Sequence, residues 1–134
     1  MIKKIEHVGI AVKDLEKSNK LFKKLLGQAS YKTENVELEN VATSFFKIGE
    51  QKIELLKSTS ENSSISRFLE RRGEGMHHLA FHVEDISKEI QRLESEGFSF
   101  VSKTPVKGAD NKMIVFLHPK TTNGVLIELC QEIK

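Results

Sequence analysis

The sequence predicts an α+β fold in which two tandem βαβββ modules form one curved, eight-stranded mixed sheet around a cavity. The first observation is a repeat: IEHVGIAVKDLEKS near the N-terminus matches MHHLAFHVEDISKE in the second half, so that His7 corresponds to His78, 71 residues later. In both copies apolar residues first alternate, as in a strand, and then recur at helical spacing. A glutamate occurs near the end of each copy, Glu54 in the first and Glu128 in the second. Matches kept in order across both halves are typical of a duplicated structural unit.

The first module, about residues 1–58, is predicted to begin with a strand and continue with a helix. The strand has one apolar face, formed by Val8, Ile10 and Val12. Asp14 is suited to cap the helix, and Gly27 is suited to end it. The apolar residues at helical spacing are Leu15, Leu21, Phe22 and Leu25. Three further short strands, separated by polar or glycine-containing turns, complete the module.

A linker helix over about residues 62–72 is predicted between the modules, with Asn62 or Ser63 as its cap and Gly73 at its end. The second module, about residues 75–134, repeats the order of the first: Asp85 caps its helix and Gly97 ends it. Its apolar positions are Leu79, Phe81 and Val83 in the strand and Ile86, Ile90 and Leu93 in the helix. The last two strands are predicted in MIVFL and VLIEL.

Strand alternation places the repeated polar residues on one face of the sheet. Successive side chains of a strand point to opposite faces, so the large apolar residues face the helices and the residues between them face away. The second face then carries His7 and Glu54 from the first module and His78 and Glu128 from the second. Small neighbours on that face leave room for a cavity.

Two imidazoles and two carboxylates that converge are a ligand set for a divalent metal ion, so the cavity is predicted to contain one. The ion would also explain why a glutamate stands in the middle of two apolar strands, because a dication compensates a buried carboxylate. Taken singly, each residue could instead be an ordinary core histidine or solvated glutamate. The matching of all four by copy and by face favours the metal, and the remaining histidines lack such matching.

Composition limits the function classes. A chain of 134 residues with 38% hydrophobic residues is long enough for one domain. The net charge of +2 is spread along the chain, which argues against nucleic acid or a membrane surface as a partner. The sequence shows neither a signal peptide nor a spanning apolar run, so a cytoplasmic location is expected. Cys130, the single cysteine, is expected to be structurally inert.

The motifs HVGIAVKDLE, KIELLK, FLERRGEGMHHLAFHV, FLHPK and GVLIEL resemble the vicinal oxygen chelate (glyoxalase/bleomycin-resistance) superfamily and, within it, the methylmalonyl-CoA epimerase family. The resemblance implies a homodimeric isomerase that acts on a small CoA thioester. It implies metal ligation by His7, His78 and Glu128, with Glu54 at a fourth ligand position. Cobalt is the first expectation for the ion, with nickel, manganese, zinc or magnesium as alternatives. Glu128 would also be a catalytic base, whereas Thr43 stands where some relatives are proposed to have a second one.

Two other functions are consistent with the same residues. A glyoxalase I-like enzyme would use the same metal and the same carboxylate on a glutathione hemithioacetal. A non-catalytic protein of this fold would bind a small molecule in the same cavity. The second alternative is the weaker one, because such proteins often lack the ligands that are present here.

Overall fold

The structure, a computed structural model, describes residues 1–134 and contains one mixed sheet of eight strands with three α-helices. The strands are β1 (Ile2–Ala11), β2 (Lys32–Val36), β3 (Val41–Ile48), β4 (Gln51–Ser58), β5 (Gly75–Val83), β6 (Val106–Lys107), β7 (Lys112–Leu117) and β8 (Ile127–Glu132). The helices are α1 (Leu15–Leu26), α2 (Ser64–Arg72) and α3 (Ile86–Ser95). In the sheet the strands follow the order β2-β3-β4-β1-β5-β8-β7-β6. The order βαβββ therefore occurs twice, as predicted, with α2 between the two copies.

The chain divides into two compact units. Residues 8–77 form one, which we call the middle unit, and residues 1–7 together with 78–134 form the other, which we call the terminal unit. The division falls within β1 and β5. The tandem-module boundaries inferred from the repeat, about 1–58 and 75–134, stay a prediction.

In the middle unit, α1 packs on the sheet through fewer residues than the sequence predicts. Asp14 caps α1 by accepting a hydrogen bond from the Lys17 backbone N–H, and Gly27 follows α1 in the left-handed conformation. The apolar residues packed in this core are Val12, Phe46 and Leu55, with Ile10, Leu15, Phe22, Leu26 and Ile53 against them. Leu21 and Leu25, predicted to belong to the apolar face of the helix, are instead 61% and 70% exposed.

The reason lies in the rotation of the helix. Each residue advances about 100° around the axis, so Phe22 and Leu26 define a stripe that is one position away from Leu21 and Leu25. Both stripes have the same spacing along the sequence, and only one can face the sheet. The predicted helix is confirmed, and the predicted inward position of Leu21 and Leu25 is wrong.

The register of β3 and β4 confirms the predicted faces within the middle unit. Glu54 lies opposite Phe45, and Leu56 lies opposite Thr43. Directly opposed residues in an antiparallel pair point to the same face, so Glu54 shares a face with Thr43. Leu55 points the other way and packs in the helix-side core.

In the terminal unit, α3 packs on the helix side of the sheet. Asp85 caps α3 through the Lys88 backbone N–H, and Gly97 follows the helix with a φ of 94°. The buried core comprises Val83, Ile86, Ile90, Leu93, Val115, Leu117 and Leu129. On the opposite face Ala80, Ile114 and Cys130 form a smaller buried cluster with Phe116 against it. The last strand begins at Ile127, so Val125, expected in that strand, precedes it.

Candidate metal centre

Three of the four predicted ligands come together in the terminal unit. His7 lies on β1, His78 on β5 and Glu128 on β8, and all three side chains are buried. Strands β5 and β8 run parallel with Ala80 opposite Glu128. His78 precedes Ala80 by two residues, so alternation turns His78 and Glu128 to the same face.

The donor atoms of these residues are spaced as ligands of one ion would be. The Nε2 atoms of His7 and His78 are 2.9 Å apart. Glu128 Oε1 lies 3.3 Å from His78 Nε2, and Glu128 Oε2 lies 3.7 Å from His7 Nε2. Two atoms bound to one ion at about 2.0–2.2 Å stand roughly 2.8–3.1 Å apart at the octahedral angle and roughly 3.3–3.6 Å apart at the tetrahedral angle, and the three observed distances lie within about 0.1 Å of these ranges. The trio His7, His78 and Glu128 therefore fits a divalent ion in both chemistry and spacing.

Aromatic packing fixes one side of this trio. The ring of His78 meets Phe116 edge-on, with centroids 5.7 Å apart and planes at 88°. Phe116 lies on β7 directly opposite Glu128 on β8. The two imidazoles of His7 and His78 also meet edge-on at 5.1 Å. An apolar ring beside the donors limits access of water and strengthens electrostatic interactions among them.

A carboxylate that the sequence analysis did not single out holds the other nitrogen of His7. Glu6 Oε1 lies 2.7 Å from His7 Nδ1, and Glu6 is only 4% exposed. Strand alternation sends neighbouring side chains to opposite faces, so it gives no reason to expect this contact. The sequence feature that points to this contact is the position of Glu6, an acidic residue directly before the predicted ligand His7. Cys130 Sγ, which donates to the Phe81 carbonyl oxygen at 3.5 Å, lies within 4.8 Å of the Glu6 and His7 donor atoms.

The fourth predicted ligand, Glu54, belongs to the middle unit, where it is buried on β4. Its role as a ligand stays a prediction. Thr43, on the same face, is 1% exposed and its hydroxyl has no hydrogen-bond partner in the protein. Across the β2–β3 pair Thr43 lies opposite Glu34. Glu34 Oε1 is 3.5 Å from the Lys32 ammonium.

Two of the other three histidines have surroundings separate from the trio. His77 is in the middle unit, where its ring meets Phe68 edge-on at 5.1 Å. Burial, together with the nearby Arg72 charge, lowers the pKa of His77 to about 4. His118 accepts a hydrogen bond from the Lys120 backbone N–H at a helical turn. These contacts account for His77 and His118 without a metal.

The sequence model of the Glyoxalase/Bleomycin resistance protein/Dioxygenase superfamily matches residues 6–116, which include two residues of the trio and Glu54. The chain belongs to this superfamily. Membership agrees with the resemblance found in the motifs and with the repeated βαβββ order.

Several superfamily members similar to this chain are epimerases. The ethylmalonyl-CoA/methylmalonyl-CoA epimerase of Cereibacter sphaeroides is 38% identical over 133 residues, which are 98% of this chain and 99% of that protein. A solved methylmalonyl-CoA epimerase, in complex with methylmalonyl-CoA and an ammonium ion, is 31% identical with a TM-score of 0.94, over 98% of this chain and 96% of its own. An uncharacterized protein of Bacillus subtilis, YqjC, is 36% identical over 96% of this chain and 91% of its own length. No helix has the length and apolar character needed to cross a membrane.

Proposed function

We propose that this superfamily member is a methylmalonyl-CoA epimerase, which interconverts the R and S epimers of methylmalonyl-CoA. The observation that carries the proposal is the position of the Glu128 carboxylate, within 3.3–3.7 Å of two imidazole nitrogens. The similarity to epimerases along nearly the whole chain supports this choice of substrate.

The proposed cofactor is a divalent ion held by His7, His78 and Glu128, with Glu54 as the proposed fourth ligand. Cobalt is the first candidate, and nickel, manganese, zinc and magnesium are alternatives. Such an ion supplies Lewis acidity at carbonyl oxygens, which makes the adjacent carbon–hydrogen bond more acidic. The two histidines contribute neutral donors, and the carboxylate offsets part of the charge.

The protein residue proposed to move the proton is Glu128. The carbon between a thioester and a carboxylate loses its proton to a carboxylate oxygen, and inversion requires that a proton return from the opposite side. If one oxygen of Glu128 held the ion, the other would be available to accept the proton. Burial of Glu128 shields the transferred proton from bulk water.

Inversion also requires a second group that returns the proton from the side opposite Glu128. The Thr43 hydroxyl cannot act as a base near neutral pH. We therefore propose that water or another carboxylate, and not Thr43, returns the proton.

An assay of two reactions tests the proposal. Purified protein loaded with Co²⁺ is given one epimer of methylmalonyl-CoA in one arm and a glutathione hemithioacetal in the other. We expect interconversion of the epimers and no conversion of the hemithioacetal. Efficient conversion of the hemithioacetal without epimerisation would replace the proposal with a glyoxalase I-like function, and inactivity in both arms would favour a binding protein. An ethylmalonyl-CoA arm measures how large a substituent the site accepts.

A further inference from the structure

The imidazole of His7 is held at both nitrogens, and each contact has a different partner. Nδ1 faces the Glu6 carboxylate at 2.7 Å, while Nε2 faces His78 Nε2 at 2.9 Å. Glu6 is as deeply buried as His7 itself. An ionised carboxylate accepts hydrogen bonds but cannot donate them, so with Glu6 ionised the contact places a proton on His7 Nδ1.

That proton decides what the other nitrogen can do. A neutral imidazole carries a single proton, and with Nδ1 protonated the Nε2 atom has a free lone pair directed at His78 and Glu128. With the opposite tautomer, Nε2 would carry the proton and could not bind an ion. Metal-binding histidines generally have an acceptor at the second ring nitrogen that fixes the tautomer and the ring orientation.

We propose that Glu6 is a positioning residue that holds His7 as its Nδ1-protonated tautomer and aims Nε2 into the trio. Glu6 does not touch the ion or the substrate in this proposal; it acts through His7. The consequence for metal affinity rests on the proposed function, because it presupposes an ion at the trio. The consequence for the tautomer of His7 does not rest on the proposed function, because it applies equally to the metal-free protein.

A matched control exists in the same unit. Glu89 on α3 is also buried, and its carboxylate is bound by Arg92 at 2.8 Å and by the N-terminal ammonium of Met1 at 2.8 Å. Removing the Glu89 charge therefore disrupts a buried carboxylate of the terminal unit whose partners are Arg92 and the N-terminal ammonium. Any general cost of losing a buried acid appears in Glu89→Gln, whereas loss of positioning appears only in Glu6 variants.

The experiment compares wild type, Glu6→Ala, Glu6→Gln and Glu89→Gln. Dissociation constants for Co²⁺ are measured by competition with a chelator, and nitrogen-15 spectra of the metal-free proteins report which nitrogen of His7 carries the proton. We expect Glu6→Ala to bind Co²⁺ about 10- to 100-fold more weakly. Glu6→Gln, which keeps an acceptor oxygen, should lose less, and Glu89→Gln should keep the wild-type constant.

In the nitrogen spectra we expect His7 of wild type to be protonated at Nδ1 and His7 of Glu6→Ala to show a mixture of tautomers. A wild-type His7 protonated at Nε2, or a Glu6→Ala protein with unchanged tautomer and unchanged Co²⁺ affinity, would overturn the inference. If wild type bound no Co²⁺, the proposed function would fail instead, and the tautomer of His7 in wild type and Glu6→Ala would still decide the role of Glu6.

Discussion

Replacing His78 with alanine is expected to abolish most of the thermal stabilisation that a metal ion gives this protein. His78 contributes one of the three converging donor atoms, and its Nε2 lies 2.9 Å from that of His7 and 3.3 Å from Glu128 Oε1. Without the imidazole, only His7 and Glu128 of the trio would remain to hold an ion. His77→Ala is the matched control, because His77 is the neighbouring residue on β5 but belongs to the middle unit and packs on Phe68.

The size of the effect follows from binding linkage. At a free ion concentration of 100 times the wild-type dissociation constant, binding stabilises the folded state by about 2.7 kcal/mol. For a domain of this size roughly 3–5 °C of melting temperature corresponds to 1 kcal/mol, so the shift in wild type is about 10 °C. A variant that binds 100-fold more weakly gains only about 0.4 kcal/mol under the same conditions, or roughly 1–2 °C.

Differential scanning fluorimetry with chelator and with added Co²⁺ measures both shifts. We expect about 10 °C for wild type and for His77→Ala, even though His77→Ala starts from a lower melting temperature after losing its contact with Phe68. His78→Ala should shift by less than a quarter of that amount. The opposite pattern, a full shift in His78→Ala and none in His77→Ala, would show that the assignment of faces along β5 is wrong by one residue.

Three further results are expected. Glu128→Gln should retain measurable Co²⁺, since an amide oxygen can still coordinate, but lose epimerisation, because an amide is not a useful base; activity near wild type would remove Glu128 as the base. Thr43→Glu should raise the epimerisation rate or leave it unchanged, because it places a carboxylate where some relatives are proposed to have a second base; a large loss of rate would contradict this. Because the folded-state pKa of His77 is about 4, the unfolded chain takes up a proton first as pH falls below about 6.5. Wild type should therefore lose up to about 3 kcal/mol of stability relative to His77→Gln between pH 6.5 and pH 4, measured by urea unfolding, and parallel pH profiles of the two proteins would contradict this.

Strand alternation was enough to predict much of the candidate site. The repeat located His7 and His78 at equivalent positions, and alternation predicted that Glu128 would share their face, as the distances between the donor atoms bear out. The ends of helix α1 could also be predicted from the sequence. Asp14 and Gly27 act through local backbone geometry, which depends directly on residue type.

What could not be predicted depends on choices that local patterns leave open. Two apolar stripes of α1 have the same periodicity, and only packing against the sheet decides that Phe22 faces the core and Leu25 faces solvent. Glu6 reaches His7 against the alternation rule, so its role requires the atomic positions of both side chains. The sequence favours Asn62 and Ser63 equally as the cap of α2, and in the structure Ser63 accepts the hydrogen bond from the Ser66 backbone N–H.

Exchange of the α-proton of methylmalonyl-CoA in deuterated water tests the central claim most directly. Wild type loaded with Co²⁺ is incubated with the thioester, and deuterium at the carbon between the two carbonyl groups is followed by proton NMR, with Glu128→Gln under identical conditions as the control. The epimerase proposal predicts catalysed exchange by wild type and exchange at the uncatalysed rate with Glu128→Gln. Wild type that binds Co²⁺ at the trio yet exchanges the proton no faster than buffer would contradict the proposed function.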